Sequence, residues 1–121
     1  MEVKSSIIYQ KAYNLSLDIV RVYKKFVTNE MRDLFRQLLR SGTSVGANLA
    51  EAVAGISEAD FSAKVSIAYK EANETRYWLS VLKDTGHIDN ESYILIDAKT
   101  EEICRIAFSI LKSTGRIKKK Y

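Results

Sequence analysis

Proline, the residue that most strongly breaks helices, is absent from this chain. There is one cysteine and one histidine. That excludes a disulfide framework and a zinc cluster built within one chain, and it leaves little for His- or Cys-centred catalysis. No stretch approaches the roughly 20 apolar residues of a membrane span. The first residues, Met1-Glu2-Val3-Lys4-Ser5-Ser6, lack the basic-then-apolar pattern of a signal peptide. A lone thiol suits a reducing compartment, so the expected location is the cytoplasm. What is present is 121 residues, 46% hydrophobic and 28% charged, enough for one domain with a real core.

The apolar residues recur with a period near 3.6, which predicts helices and argues against strands. Three breaks interrupt the pattern: Thr28-Asn29, Gly55-Ile56-Ser57 and Gly86-His87-Ile88-Asp89. Gly55, Gly86 and Gly115 each follow a long periodic run, where a left-handed residue can close a helix. Ser57 and Asp89 read as N-caps, with Ile56–Phe61 and Ile88–Tyr93 as hydrophobic staples. The expected helices span residues 6–27, 30–54, 58–85 and 90–113, each roughly 35–40 Å long. Similar lengths and short connections predict an all-α, antiparallel up-down four-helix bundle. The expected core faces are Ile8, Ala12, Leu15, Ile19, Val20, Tyr23, Phe26 and Val27 in the first helix, and Met31, Leu34, Phe35, Leu38, Val45, Leu49 and Val53 in the second. The third uses Phe61, Val65, Ala68, Ala72, Leu79 and Leu82. The fourth uses Tyr93, Ile96, Ile103, Ala107, Ile110 and Leu111, with Cys104 as a small core hydrophobe.

One segment is unusual. From Arg40 to Ala47, six of eight residues are Ser, Thr, Gly or Ala. Two mid-helix glycines cost about 1 kcal/mol each relative to alanine, so Gly42 and Gly46 should permit a close backbone approach, from a neighbouring helix or another subunit. A phosphate loop is excluded: the glycine spacing is wrong, no lysine follows and no strand precedes. Beside this stripe run Arg40, Asn48 and Glu51. In the third helix Glu71 falls near the centre of the apolar arc, with Glu74 at its edge. Such a carboxylate needs a partner, and Arg40 and Lys64 are candidates. The expectation is a structural polar network of Arg40, Asn48, Glu51, Glu71 and Glu74. The competing reading is a Mg²⁺ or Ca²⁺ site on Glu51, Glu71 and Glu74. No Glu-x-x-His is present for a di-metal centre. Tyr77 points away from the core, a candidate subunit contact.

The run Gln37-Leu38-Leu39-Arg40-Ser41-Gly42-Thr43-Ser44-Val45-Gly46-Ala47-Asn48-Leu49-Ala50-Glu51-Ala52 resembles the signature of the bacterial four helix bundle protein family. That family is also labelled 23S rRNA intervening-sequence protein, or S23 ribosomal protein. The match continues through Asp60-Phe61 and from Ile67-Ala68-Tyr69-Lys70-Glu71 to Trp78-Leu79. Many members have Pro where Gly46 stands and Gly where Ala52 stands. The resemblance implies a left-handed bundle and a ring-shaped homopentamer. Some members are encoded within 23S rRNA genes, and a related protein is the accessory factor of diversity-generating retroelements, which binds nucleic acid. The resemblance transfers no catalytic residues.

The formal charge of +4 is not spread evenly. Residues 1–29 carry five basic and two acidic groups, and residues 89–121 carry seven and five. Arg116, Lys118, Lys119 and Lys120 supply the whole surplus, leaving residues 1–115 neutral. A second basic feature is the outer side of the first helix: Lys11, Arg21, Lys24 and Lys25. These eight residues are the candidate contacts for RNA or DNA phosphates, without sequence-specific reading. The expectation is therefore a non-enzymatic, homo-oligomeric scaffold or adaptor that binds RNA or DNA. It needs no cofactor, membrane or small-molecule substrate. The alternatives are a protein–protein module without nucleic acid and a carboxylate metal-binding bundle.

Overall fold

In the computed structural model, residues 3–115 are described, with side-chain environments from residue 7 onward. Four helices follow one another: α1 (Val3–Phe26), α2 (Arg32–Val53), α3 (Glu58–Asp84) and α4 (Asn90–Ser113). Each helix packs on its chain neighbour, and α1 closes the square against α4. The fold is an up-down four-helix bundle, with α2 against α3 the most extensive interface and α1 against α4 the thinnest.

Buried positions alternate in steps of three and four along every helix. They are Ile8, Ala12, Leu15, Ile19 and Val22 in α1, and Phe35, Leu38, Gly42, Val45, Leu49 and Ala52 in α2. In α3 they are Val65, Ala68, Ala72, Thr75, Leu79 and Leu82; in α4, Ile96, Thr100, Ile103, Ala107 and Ile110. A mean step of 3.5 keeps the seam facing inward only if the helices coil left-handedly around one another. This repeat corrects two core assignments. Val20 is 39% exposed, and Val22, seven residues after Leu15, takes the inward slot. Ala52 is buried in α2, whereas Val53 sits at the edge.

The caps explain the boundaries. Ser57 accepts from Asp60 N at 3.0 Å, and Asp89 accepts from Ser92 N at 3.1 Å. Gly86 has φ 80°, and the N–H groups of Gly86 and His87 return to the carbonyls of Lys83 and Leu82. That double bond is a Schellman closure, which α3 achieves at the one position where glycine carries no Cβ penalty. Gly115 also has positive φ, at 74°, but Gly55 does not, so α2 ends without a left-handed residue. The expected Ile56–Phe61 staple is absent as well: Ile56 is 97% exposed. The α1–α2 connection departs too. Thr28 and Asn29 bond to Met31 N and the Arg32 side chain within a turn, and α2 begins at Arg32 rather than residue 30.

Candidate functional site

The small-residue stripe of α2 faces α1. A Cβ on Gly42 would stand 2.7 Å from Ile19 Cγ1, and one on Gly46 would stand 3.2 Å from Ser16 Oγ and 3.4 Å from the Ala12 carbonyl. The close approach these glycines permit is therefore within the chain. Seven residues before Leu82, Thr75 is fully buried and meets Ser41, also fully buried, with their hydroxyls 3.1 Å apart. Sequence reasoning passed over both, because a lone hydroxyl in a heptad slot carries no apolar signal. Each also reaches a carbonyl one turn back, Thr75 to Glu71 and Ser41 to Leu38.

Arg40 extends from α2 to α3 and engages both Glu71, at 3.3 Å, and Glu74. The indole of Trp78 donates to Glu74 at 3.0 Å. That donor, with Arg40 second, holds the Glu74 carboxyl below its ordinary range, and Glu74 in turn raises the Arg40 guanidinium. Glu71 is not at the centre of the core, which Ala72 and Thr75 occupy; its side chain is 20% exposed at the boundary. Thus Arg40, Glu71 and Glu74 come together and gain Trp78. The other two expected members do not join them. Glu51 forms a separate pair with Lys64 at 2.8 Å, and Asn48 donates to the Ser44 carbonyl of its own helix. Among the described residues, no three His, Cys, Asp or Glu side chains gather as metal ligands. Arg76 makes a two-bond contact with Asp97 of α4 at 2.9 and 3.1 Å. That pair fastens α3 to α4 as Arg40 fastens α2 to α3.

The expected basic face of α1 divides. Lys11 turns toward α4 and pairs with Glu102 at 3.2 Å, and Arg21 pairs with Asp18, which also accepts from Lys99 of α4. Lys24 and Lys25 have no carboxylate within ion-pair distance among the described residues; Lys25 lies over the Phe26 ring at 5.2 Å. Arg116, Lys118, Lys119 and Lys120 fall outside the described residues. The Lys11–Glu102 and Asp18–Lys99 pairs set α4 antiparallel to α1. At 1.5 Å per residue, the end of α4 is then about 35 Å from Lys24. That distance is several times the screening length of about 8 Å at physiological salt.

With Lys11 and Asp18 turned to α4, the rest of the outer α1 surface from Tyr9 to Val20 is uncharged: Tyr9, Gln10, Tyr13, Asn14, Ser16, Leu17 and Val20. Beside it on α2, Thr43, Ala47, Ala50, Val53 and Ala54 continue the uncharged surface. The contacts of Gly46 with Ser16 and of Gly42 with Ile19 put the two stretches at one level. Tyr9 and Tyr13, with ring centroids 6.5 Å apart, border an open depression of about 400 Å³ that Gln10 and Asn14 complete. In a chain with 28% charged residues, so long a charge-free exterior is the surface feature that solvation alone does not explain. No helix among the described residues is long and apolar enough to cross a membrane.

Comparison with known proteins agrees with this architecture. No curated protein matches the chain. A solved structure from Bacteroides thetaiotaomicron, a protein of unknown function from the S23 ribosomal protein family, is similar at 43% identity. The match covers 91% of this chain and 99% of that one, with a TM-score of 0.83. The family model of the 23S rRNA-intervening sequence protein matches residues 4–109. With its heptad-packed bundle and its Arg40, Glu71 and Glu74 cluster, the chain belongs to the 23S rRNA-intervening sequence protein family.

Proposed function

We propose that the protein is a non-enzymatic scaffold or adaptor that works as a homo-oligomer in the cytoplasm. The observation that carries this reading is the uncharged outer face of α1 and α2, which has the charge depletion of an interface core. The motif residues support it from the other side. Arg40, Glu71, Glu74 and Trp78 are tied to one another across α2 and α3, a register lock between helices. The family resemblance supplies a five-membered ring as the assembly to test. Light scattering at micromolar concentration is the test: an oligomer supports the reading and a monomer refutes it.

The scaffold's second property is non-specific contact with RNA or DNA phosphates through Lys24, Lys25 and the basic residues 116–120. A few cations per chain bind phosphate weakly, so a ring that repeats these groups is what gives them combined strength. Titration with structured RNA and with duplex DNA at two salt concentrations tests it. Affinity should fall steeply with salt, and removing residues 116–121 should flatten that dependence. Absent binding at low salt, or binding indifferent to both the truncation and Lys24→Gln/Lys25→Gln, leaves a protein–protein scaffold without nucleic acid.

A further inference from the structure

The thinnest helix interface, α1 against α4, has an open cleft toward each end of its seam. At one end Ile7, Ile106 and Ser109 line a cleft of about 480 Å³; at the other Val22, Phe26, Leu95 and Ile96 line one of about 150 Å³. The Lys11–Glu102 and Lys99–Asp18 pairs bridge the helices between the two clefts. Each cleft offers an apolar side chain to solvent: Ile7 is 43% and Leu95 54% exposed. Along α1 the clefts stand about 22 Å apart, from Ile7 to Val22, which is four helical turns.

The seam is also unevenly charged. Lys11, Arg21, Lys25, Lys99 and Arg105 border it, against Asp18, Glu101 and Glu102. All three carboxylates already accept from cations: Glu102 from Lys11, Asp18 from both Lys99 and Arg21, and Glu101 from Arg105. Asp89, beyond the Lys25 end, is engaged in capping α4 through the Ser92 N–H. A ligand on the seam therefore meets a surplus of cations beside two apolar hollows.

We propose that the α1–α4 seam is the docking groove for an acidic amphipathic helix of a partner protein. One apolar anchor enters each cleft, and the helix's carboxylates lie against Arg21, Lys25 and Arg105. The inference rests on the adaptor reading, for which it names the partner's chemistry, and it holds for one copy of the chain or several. The shape favours a helix, because the groove between two packed helices accepts the ridge of a third, and anchors four turns apart lie on one helix face. The charge selects an acidic one. This chain's own basic segment, residues 116–120, carries the same sign as the seam and is disfavoured there. A nucleic acid would use the cations and leave both apolar clefts unfilled.

The test titrates the full chain with a fluorescent helical peptide of Glu, Ala and Leu, about 18 residues or five turns long, its leucines on one face. Fluorescence anisotropy reads the affinity. One control peptide has Lys in place of Glu; the other keeps the composition but scatters the leucines around the helix. The acidic amphipathic peptide should bind in the micromolar range, and both controls at least about tenfold more weakly. Leu95→Gln and Lys25→Glu, each on an exposed side chain, should weaken binding at least about fivefold with the helical circular dichroism unchanged. If Leu95→Gln fails to fold, Arg105→Glu at the far cleft, on a side chain 72% exposed, takes its place. Binding that none of these variants weakens puts the peptide on another surface and overturns the proposal. Equal affinity for the scattered peptide assigns the seam to anions in general, nucleic acid included, and overturns it too. No binding at tens of micromolar overturns the docking, and an oligomer seen by light scattering in the same sample leaves the homo-oligomeric reading in place. Binding by a monomeric chain supports the docking and refutes that reading.

Discussion

An alanine at position 42 would put its Cβ 2.7 Å from Cγ1 and 2.9 Å from Cγ2 of Ile19. Carbon atoms pack at about 3.5–4.0 Å, so something must move by close to an ångström. Both Ile19 atoms are bonded directly to its Cβ, and a β-branched side chain is stiff at χ1. The strain therefore passes to the helix axes. Overpacking of this kind costs about 1–3 kcal/mol. Against it stands the helix preference for alanine over glycine, about 1 kcal/mol. The net expectation for Gly42→Ala is a loss of up to about 2 kcal/mol. Gly46→Ala is the internal control. Its Cβ would lie 3.2 Å from Ser16 Oγ, a hydroxyl that can rotate, and 3.4 Å from the Ala12 carbonyl. There the helix preference prevails, and stability should be unchanged or rise by up to about 1 kcal/mol. Urea unfolding followed by circular dichroism, at one protein concentration, reads both. With a slope near 1.5 kcal/mol/M, the Gly42→Ala midpoint should drop by up to about 1 M. In an Ile19→Ala background, the clashing atoms are gone and Gly42→Ala should cost less than in the wild type. A Gly42→Ala protein as stable as Gly46→Ala would refute the packing of α2 on α1 described above.

The remaining predictions concern the polar groups. Glu74 is held below the ordinary carboxylate range first by the Trp78 indole and then by Arg40. A lowered carboxyl contributes stability above its unfolded pKa and loses it as the pH falls through the folded one. Acidification from about pH 5 to pH 3 should therefore destabilise the wild type more than Glu74→Gln. Trp78, the one tryptophan, should report the same protonation in its fluorescence, and an emission titration that survives Glu74→Gln would contradict the assignment. For the buried hydroxyls, Thr75→Val alone should cost about 1 kcal/mol, and the Ser41→Ala, Thr75→Val double change should cost less than the sum of the two. Additivity in chemical unfolding would show that the pair does not interact. Burial pushes the Cys104 thiol up to about 11. At pH 8 its thiolate fraction is then lower than that of a free cysteine by more than about a hundredfold, and a disulfide reagent should label it slowly until the protein unfolds. Labelling at the rate of free cysteine would place the thiol outside the core.

The helices themselves were legible because their signals are local. Ser57, Asp89 and Gly86 act through bonds to residues three or four away, and all three hold their expected posts. Errors arose where a decision depends on another helix. A period of 3.6 favours Val20, but the coiled seam repeats every 3.5 residues and selects Val22. Ile56 fits a staple by spacing, yet the connection swings it into solvent. Glu71 looks central on a wheel because Thr75 was scored as polar; in the fold Thr75 is inward and Glu71 moves to the boundary. The polar constellation was legible as a set of residues but not as a set of partners. Which of Glu51, Glu71 and Glu74 meets Arg40 is fixed by the level of α2 on α3, and a single sequence carries no measure of that level. Likewise Lys11 reads as part of a basic outer face until Glu102 of α4 is placed beside it. The charge-free exterior appears only once Lys11 and Asp18 are known to turn toward α4.

Assembly through that exterior is the central claim, and the solution mass of the full-length chain tests it most directly. Light scattering coupled to gel filtration should give a multiple of the 13.7 kDa chain mass at micromolar concentration, five-fold if the ring implied by the family forms. Leu17→Glu should return a folded protein of single-chain mass. A wild-type mass of 13.7 kDa across the accessible concentration range would contradict the account.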